Sequence, residues 1–155
     1  MIKKILATRQ CSRGLGKDIT AVKPGMLIEI EDIKVKTVEA YNRKHEWDAK
    51  LMHKKGIGVG YVVSVEGKKI YHAGDTDLVQ EMDCLQDVDV AFLPIGGRDF
   101  TMDLSEAIEA ARRIKPKVVI PMHRFATDPD EYKKLVEKDS LTKVVVLNIG
   151  ETYQL

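Results

Sequence analysis

The sequence predicts an α/β fold in which a mixed sheet is covered by helices. Between residues 88 and 148 short apolar runs alternate with helical segments, and that rhythm builds a sheet with helices packed on one face. Upstream the chain reads as hairpins. Ile33, Val35 and Thr37 alternate with Lys34 and Lys36, the period of two of a half-buried strand. The length of 155 residues, 44% of them hydrophobic, fits one domain with a packed core. Residues 1–155 are therefore expected to form a single domain, without repeat or linker.

The elements follow in order. Residues 2–8 are apolar and basic, and their pattern leaves helix and strand both open. Gly14, Gly16 and Asp18 mark a turn, and Pro24-Gly25 another. Residues 26–30 and 33–40 read as strands joined at Glu31-Asp32. Residues 41–55 are polar and irregular, and hold His45, Trp47 and His53. A second strand pair, 58–65 and 69–72, surrounds Glu66-Gly67. Residues 77–85 look helical. Residues 88–94 are an apolar run of buried-strand type. Asp103 or Ser105 caps a helix reaching Ile114. Residues 117–121 form another buried strand. Asp128 caps a helix to Lys138 with Pro129 at its first position. Residues 144–148 are the last strand.

Charge and composition exclude several function classes. Lys and Arg number 25 against 24 Asp and Glu, a net charge of +1, which argues against a general phosphate-backbone binder. No nucleic acid is expected as partner. No apolar run approaches the ~20 residues of a membrane span, and the first residues lack the apolar core of a signal peptide. Cys11 and Cys84 are the two cysteines, too few for a disulfide framework; Cys84 is expected in the core. The expected location is cytoplasmic, with no membrane partner.

Two glycine motifs point away from nucleotides. Gly56, Gly58 and Gly60 precede a strand, whereas a pyrophosphate site needs a helix N-terminus. They are read as sites of close backbone approach. The stretch from Cys11 to Asp18 is like the tail of a phosphate-binding loop. Cys11 falls where that motif needs glycine, and Asp18 where it needs Ser or Thr. It is read as a surface turn.

The histidines carry more. His72 and Asp75 lie at one strand end, His123 at another, and His53 before the glycine-rich strand. Open α/β sheets bind ligands at the carboxyl ends of their strands. Imidazole and carboxylate are what a zinc-like divalent ion takes where no thiolate is offered. Each histidine alone suits a structural role; together they read as a metal site.

Longer stretches support a resemblance. They are His53-Lys-Lys-Gly56-Ile-Gly58-Val-Gly60-Tyr61, Tyr71-His72-Ala-Gly74-Asp75-Thr76-Asp77, Asp87 to Gly97 with Leu93-Pro94-Ile-Gly96-Gly97, Thr101-Met102-Asp103, and Ile114 to Pro121-Met-His123. In this order they resemble the metallo-β-lactamase superfamily, and within it the small single-domain prokaryotic metal-dependent hydrolases. The resemblance covers nearly the whole chain. It implies an αβ/βα sandwich with a two-metal site at one edge. By resemblance Asp75 is the metal-bridging aspartate, His123 the C-terminal histidine ligand and His53 the middle one. His72 is a supporting neighbour. The implied cofactor is zinc, or another divalent metal such as manganese or iron. No catalytic residue beyond these ligands is indicated.

The family's His-x-His-x-Asp-His motif does not occur in this sequence, whose first histidine is His45, read as a loop residue. By resemblance Met1 falls just after that motif. The chain is therefore expected to be N-terminally truncated, the C-terminal two-thirds of the fold, with an incomplete dinuclear site. The implied function is a metal-dependent hydrolase acting on an ester, lactone or phosphodiester, weak or inactive as given. The alternative is a non-catalytic binding or assembly module. Missing layers would leave sheet edges and an apolar face unpaired, so a homodimer, or a second chain completing the fold, is expected.

Overall fold

The computed structural model describes residues 4–13, 19–43, 53–97 and 100–155. The turn expected at Gly14, Gly16 and Asp18, and the residues His45 and Trp47, lie outside them. Strands β1 (Ile5–Thr8) and β2 (Ile19–Val22) pair in parallel, with Ile5 opposite Ile19. This settles residues 5–8 as strand. Strand β2 was not foreseen, because four residues with only Val22 buried carry no readable alternation.

The main sheet has seven strands in simple sequence order. They are β3 (Leu27–Ile30), β4 (Ile33–Glu39), β5 (Val59–Val65), β6 (Lys68–His72), β7 (Val90–Pro94), β8 (Val118–Met122) and β9 (Lys143–Val144). Pairing is antiparallel from β3 to β6 and parallel from β6 to β9. The mixed sheet is therefore the predicted one, with Glu31 and Glu66 at positive φ in the two hairpin turns. Beyond β9 the pairing continues only through the Val145 amide to Val119, so residues 146–148 do not extend the strand.

Helices α1 (Leu104–Ile114) and α2 (Pro129–Lys138) fill the connections between the parallel strands. Asp103 caps α1 through a reciprocal box with Glu106, which satisfies donors the first turn leaves free. Asp128 caps α2, with Pro129 at its start. Both helices bury one stripe in the main core: Ala107, Ala110, Ala111 and Ile114 from α1, Tyr132 and Val136 from α2. They meet Tyr71, Ala91, Leu93 and Val119 of β6, β7 and β8. The alternate residues Val90, Val118 and Ile120 turn to the opposite face, against Val145, Leu147 and Tyr153. Burial on both faces is why these strands read as unbroken apolar runs. No helix among the described residues is long and apolar enough to cross a membrane.

The helix expected over 77–85 is replaced by one 3-10 turn at Gln80–Cys84, flanked by extended Val79 and Leu85. Tertiary hydrogen bonds divert the backbone before it. The Asp77 amide donates to the Tyr41 carbonyl at 3.0 Å, and the Thr76 hydroxyl bonds Tyr41 at 3.1 Å. The short turn leaves Cys84 exposed, not in the core as expected; Cys11 is exposed as well.

Asp89 ties the N-terminal ends of three strands. Its carboxylate accepts from the Lys69 amide and from Lys117 Nζ, each at 2.8 Å. Its backbone bonds the Lys69 carbonyl and the Val118 amide. The Lys117 ammonium, then the Lys69 amide, hold its carboxyl below the usual carboxylate range. Asp89→Ala should cost about 2 kcal/mol, the usual size of hydrogen bonds to a charged group. A depressed carboxyl contributes stability above its unfolded value of about 3.9, lost as pH falls through the folded value. The gap in urea midpoint between wild type and Asp89→Ala should therefore be wide at pH 7 and narrow below pH 4. An equal gap at both would remove Asp89 from the account.

Candidate metal centre

Strand β6 ends at His72, and the chain turns toward Asp75 through Ala73 and Gly74. The Ala73 amide donates to the Phe92 carbonyl of β7 at 3.1 Å, so the turn stays against the sheet. Gly74 has φ +71, and a Cβ there would sit 3.0 Å from the Val59 carbonyl oxygen. Only glycine lets this turn lie so close to β5.

His123 follows β8 directly, with φ 45, and Phe125 has φ 47. Such values are uncommon for bulky residues and cost on the order of 1–3 kcal/mol each. Gly96, just beyond β7, makes the conformation possible. A Cβ on Gly96 would collide with the His123 carbonyl oxygen and the Phe125 ring. The loop after β8 therefore folds over the loop after β7. The Ile95 amide donates to the Met122 carbonyl at 3.1 Å, and the Phe125 ring stacks on His123 with centroids 6.0 Å apart.

His53 is held from several sides. Its carbonyl accepts from the Asn42 amide at 2.9 Å. Two residues on, Lys55 Nζ donates to Glu81 Oε1 at 2.7 Å and lies over the Tyr41 ring. The Gly56 amide donates to Glu39 Oε2 at 2.9 Å. The Glu81 hydrogen bond is the main reason the Lys55 ammonium titrates above its ordinary value.

These elements bring three of the predicted residues together. His123 Nε2 lies 3.0 Å from Asp75 Oδ1. His53 Nε2 lies 3.9 Å from Asp75 Oδ2. One imidazole faces each carboxylate oxygen. His72 stands apart from this trio in role: its Nδ1 accepts from the Gly74 amide at 3.1 Å, and its ring stacks on Phe92. It braces the turn that carries Asp75. Burial first, then the nearby His123, push the His72 imidazole below its ordinary value, against the pull of Asp75.

The donor set is nitrogen and oxygen, as a borderline divalent ion takes. In arrangement, one carboxylate lies between two imidazoles. Among the described residues no three His, Cys, Asp or Glu side chains converge on one ion position. By the chemistry of their donor atoms, His53, Asp75 and His123 suit a divalent ion. A cavity of about 350 Å³ opens beside it, lined by His53 and Asp75 with Leu6, Thr8, Cys11 and Tyr61. A larger one of about 810 Å³, lined by Lys69, Asp87, Asp89 and Lys117, lies at the other ends of the strands.

Two residues to which the sequence reading assigned no role support the trio. Asn42 and Asp77 are 5% and 0% exposed, and both belong to the hydrogen-bonded surroundings of His53. The only sequence signal was polarity next to strand ends, which ordinary loops share.

The profile of the beta-lactamase superfamily domain matches residues 2–123. A UPF0173 metal-dependent hydrolase of Staphylothermus marinus is 46% identical over 107 residues, 64% of this chain and 46% of its own length. The chain spans about half the length of the curated relatives it matches. Igni18, described as a metallo hydrolase from Ignicoccus hospitalis, superposes with a TM-score of 0.80 at 30% identity, over 97% of this chain and 67% of that one. The metallo-beta-lactamase fold protein YhfI from Bacillus subtilis superposes at 0.73 over 96% of this chain and 62% of its own, with 10% identity, which speaks to fold alone. A profile covering most of the chain, together with the strand order and the sheet edge described above, makes this chain a member of the beta-lactamase superfamily domain family, built on the metallo-beta-lactamase fold.

Proposed function

We propose that this chain carries part of a dinuclear metal centre of a metal-dependent hydrolase, with His53, Asp75 and His123 as ligands. The supporting observation is Asp75, flanked by His123 on one oxygen and His53 on the other. Asp75 would hold metal together with His123 and His53. Divalent ions there, zinc, manganese or iron, would supply Lewis acidity toward a carbonyl or phosphoryl oxygen and acidify water. The protein's own part is to hold and orient. His123 is fixed by its strained backbone and by Phe125, and His53 by Asn42 and the Lys55–Glu81 pair. His72 and Gly74 keep Asp75 turned outward. The substrate class is an ester, lactone or phosphodiester, entering from the cavity beside Asp75. Residues 1–155 act as one domain.

A second reading is a non-catalytic binding or assembly module. It is favoured by the finding that no three His, Cys, Asp or Glu side chains converge among the described residues. Electrostatic contributions in such sites are worth a few kcal/mol each, so a centre lacking further ligands would turn over slowly. A homodimer, or a second chain completing the site, belongs to the same proposal. Edge strand β3 leaves Leu27 65% exposed, and unpaired edges recruit other chains.

Metal analysis of the purified chain decides between these readings. Zinc or manganese should bind, and Asp75→Ala, which removes the shared ligand, should weaken binding by more than ~10-fold, since even changes in supporting residues reach that size. Unchanged metal content in Asp75→Ala would place the ion elsewhere. With phosphodiester, lactone and thioester substrates and added metal, turnover by the 155-residue chain should be slow and lost in Asp75→Ala. Metal bound without any turnover would favour the binding module.

Sedimentation of the 17.5 kDa chain at micromolar concentration should show a dimer. A clean monomer would remove association from the proposal.

A further inference from the structure

We infer that Asn42 and Asp77 form a positioning pair that sets the tautomer of His53 and directs its Nε2 lone pair at the metal edge. The inference rests on the metal-ligand reading of His53, and its logic is a count of donors and acceptors. The Asn42 side-chain amide nitrogen lies 3.1 Å from Asp77 Oδ1 and 2.8 Å from the Phe100 carbonyl oxygen. Carboxylate and carbonyl are both acceptors, so the NH2 group must face them, one proton to each. Flipping the amide would set its oxygen against two other oxygens. Its orientation is thus decided by the network.

The consequence passes to His53. With the NH2 group committed, Asn42 presents only its oxygen to His53 Nδ1, 2.8 Å away. An oxygen can only accept there, so Nδ1 must carry the proton. In the neutral ring Nε2 then has the lone pair, and Nε2 is the nitrogen directed at Asp75. The opposite tautomer would face Nδ1 and Asn42 with two acceptors and no proton between them.

The pair is built to hold this arrangement. Both side chains are buried, and the second Asp77 oxygen accepts from the Arg43 amide at 2.6 Å. The Asn42 amide bonds the His53 carbonyl as well, so ring and backbone of His53 are gripped by one residue. The Asp77 amide bonds the Tyr41 carbonyl, which locks the turn carrying Asp75 to the strand end carrying Asn42. Asn42 and Asp77 act through His53 and are positioning residues.

Imidazole 15N shifts of the metal-free chain at pH 8 test this directly. Wild-type His53 should be the Nδ1–H tautomer; an Nε2–H ring would overturn the inference outright. Asn42→Ala removes the acceptor, and Asp77→Asn lets the amide turn over. Each should shift His53 toward the Nε2–H form and weaken zinc binding by about 10–100-fold, with the far-ultraviolet dichroism unchanged. Asn42→Asp keeps an acceptor at Nδ1 and should retain the wild-type tautomer. An unchanged tautomer in both Asn42→Ala and Asp77→Asn would overturn the inference, as would loss of zinc binding without a tautomer change. If the wild type binds no zinc, the metal reading fails, and the tautomer still decides the role of Asn42. Should a variant not fold, the wild-type shifts alone decide it.

Discussion

Strands β6, β7 and β8 run parallel, with Tyr71 opposite Ala91 and Ala91 opposite Val119. That register brings their C-terminal ends to one edge of the sheet. Parallel pairing demands crossovers, which α1 provides between β7 and β8. The crossovers cover one face of the sheet and leave the strand ends open. Asp75 and His123 follow β6 and β8 by three residues and one residue. Their 3.0 Å approach is thus a consequence of strand register, with the loops making only the final adjustment.

That adjustment has an energetic cost, borne by the sheet. His123 and Phe125 take backbone conformations that side chains disfavour. Packing of the two loops over Gly96 holds them there. At the other strand ends Asp89 plays the opposite part, bonding three strands with strong hydrogen bonds. Positive φ is found at that end too, at Asp87 and Lys115, so what sets the Asp89 end apart is its charged hydrogen bonds across three strands.

Polar burial behind the site follows the same division. Thr76, Asp77 and Asn42 are all buried, and their bonds run between chain segments 35 residues apart. Buried polar groups are costly unless paired, and paired networks fix a single geometry. Here they replace a helix that residues 77–85 could otherwise form, and in exchange they fix His53 relative to Asp75.

Residue pattern alone was enough for the alternation of strands and helices, the two hairpins, and the cap Asp128, and it narrowed the α1 cap to Asp103 or Ser105. Each depends on near neighbours: a side-chain period, a turn residue, a donor within one helical turn. His72, Asp75 and His123 could be singled out as candidates for a related reason, since each lies within three residues of a strand end that is itself legible; His53 was named for its place before the glycine-rich strand and by resemblance. Tertiary structure decided the rest. Strand β2 exists only because β1 lies beside it, and residues 77–85 yield their helix to Tyr41. The orientation of Asn42 depends on Asp77 and Phe100 together, and no local pattern records partners 35 and 58 residues away. Local propensity is worth tenths of a kcal/mol per residue. A buried hydrogen bond left unmade costs about 1–3 kcal/mol, so where the two compete the distant partner wins.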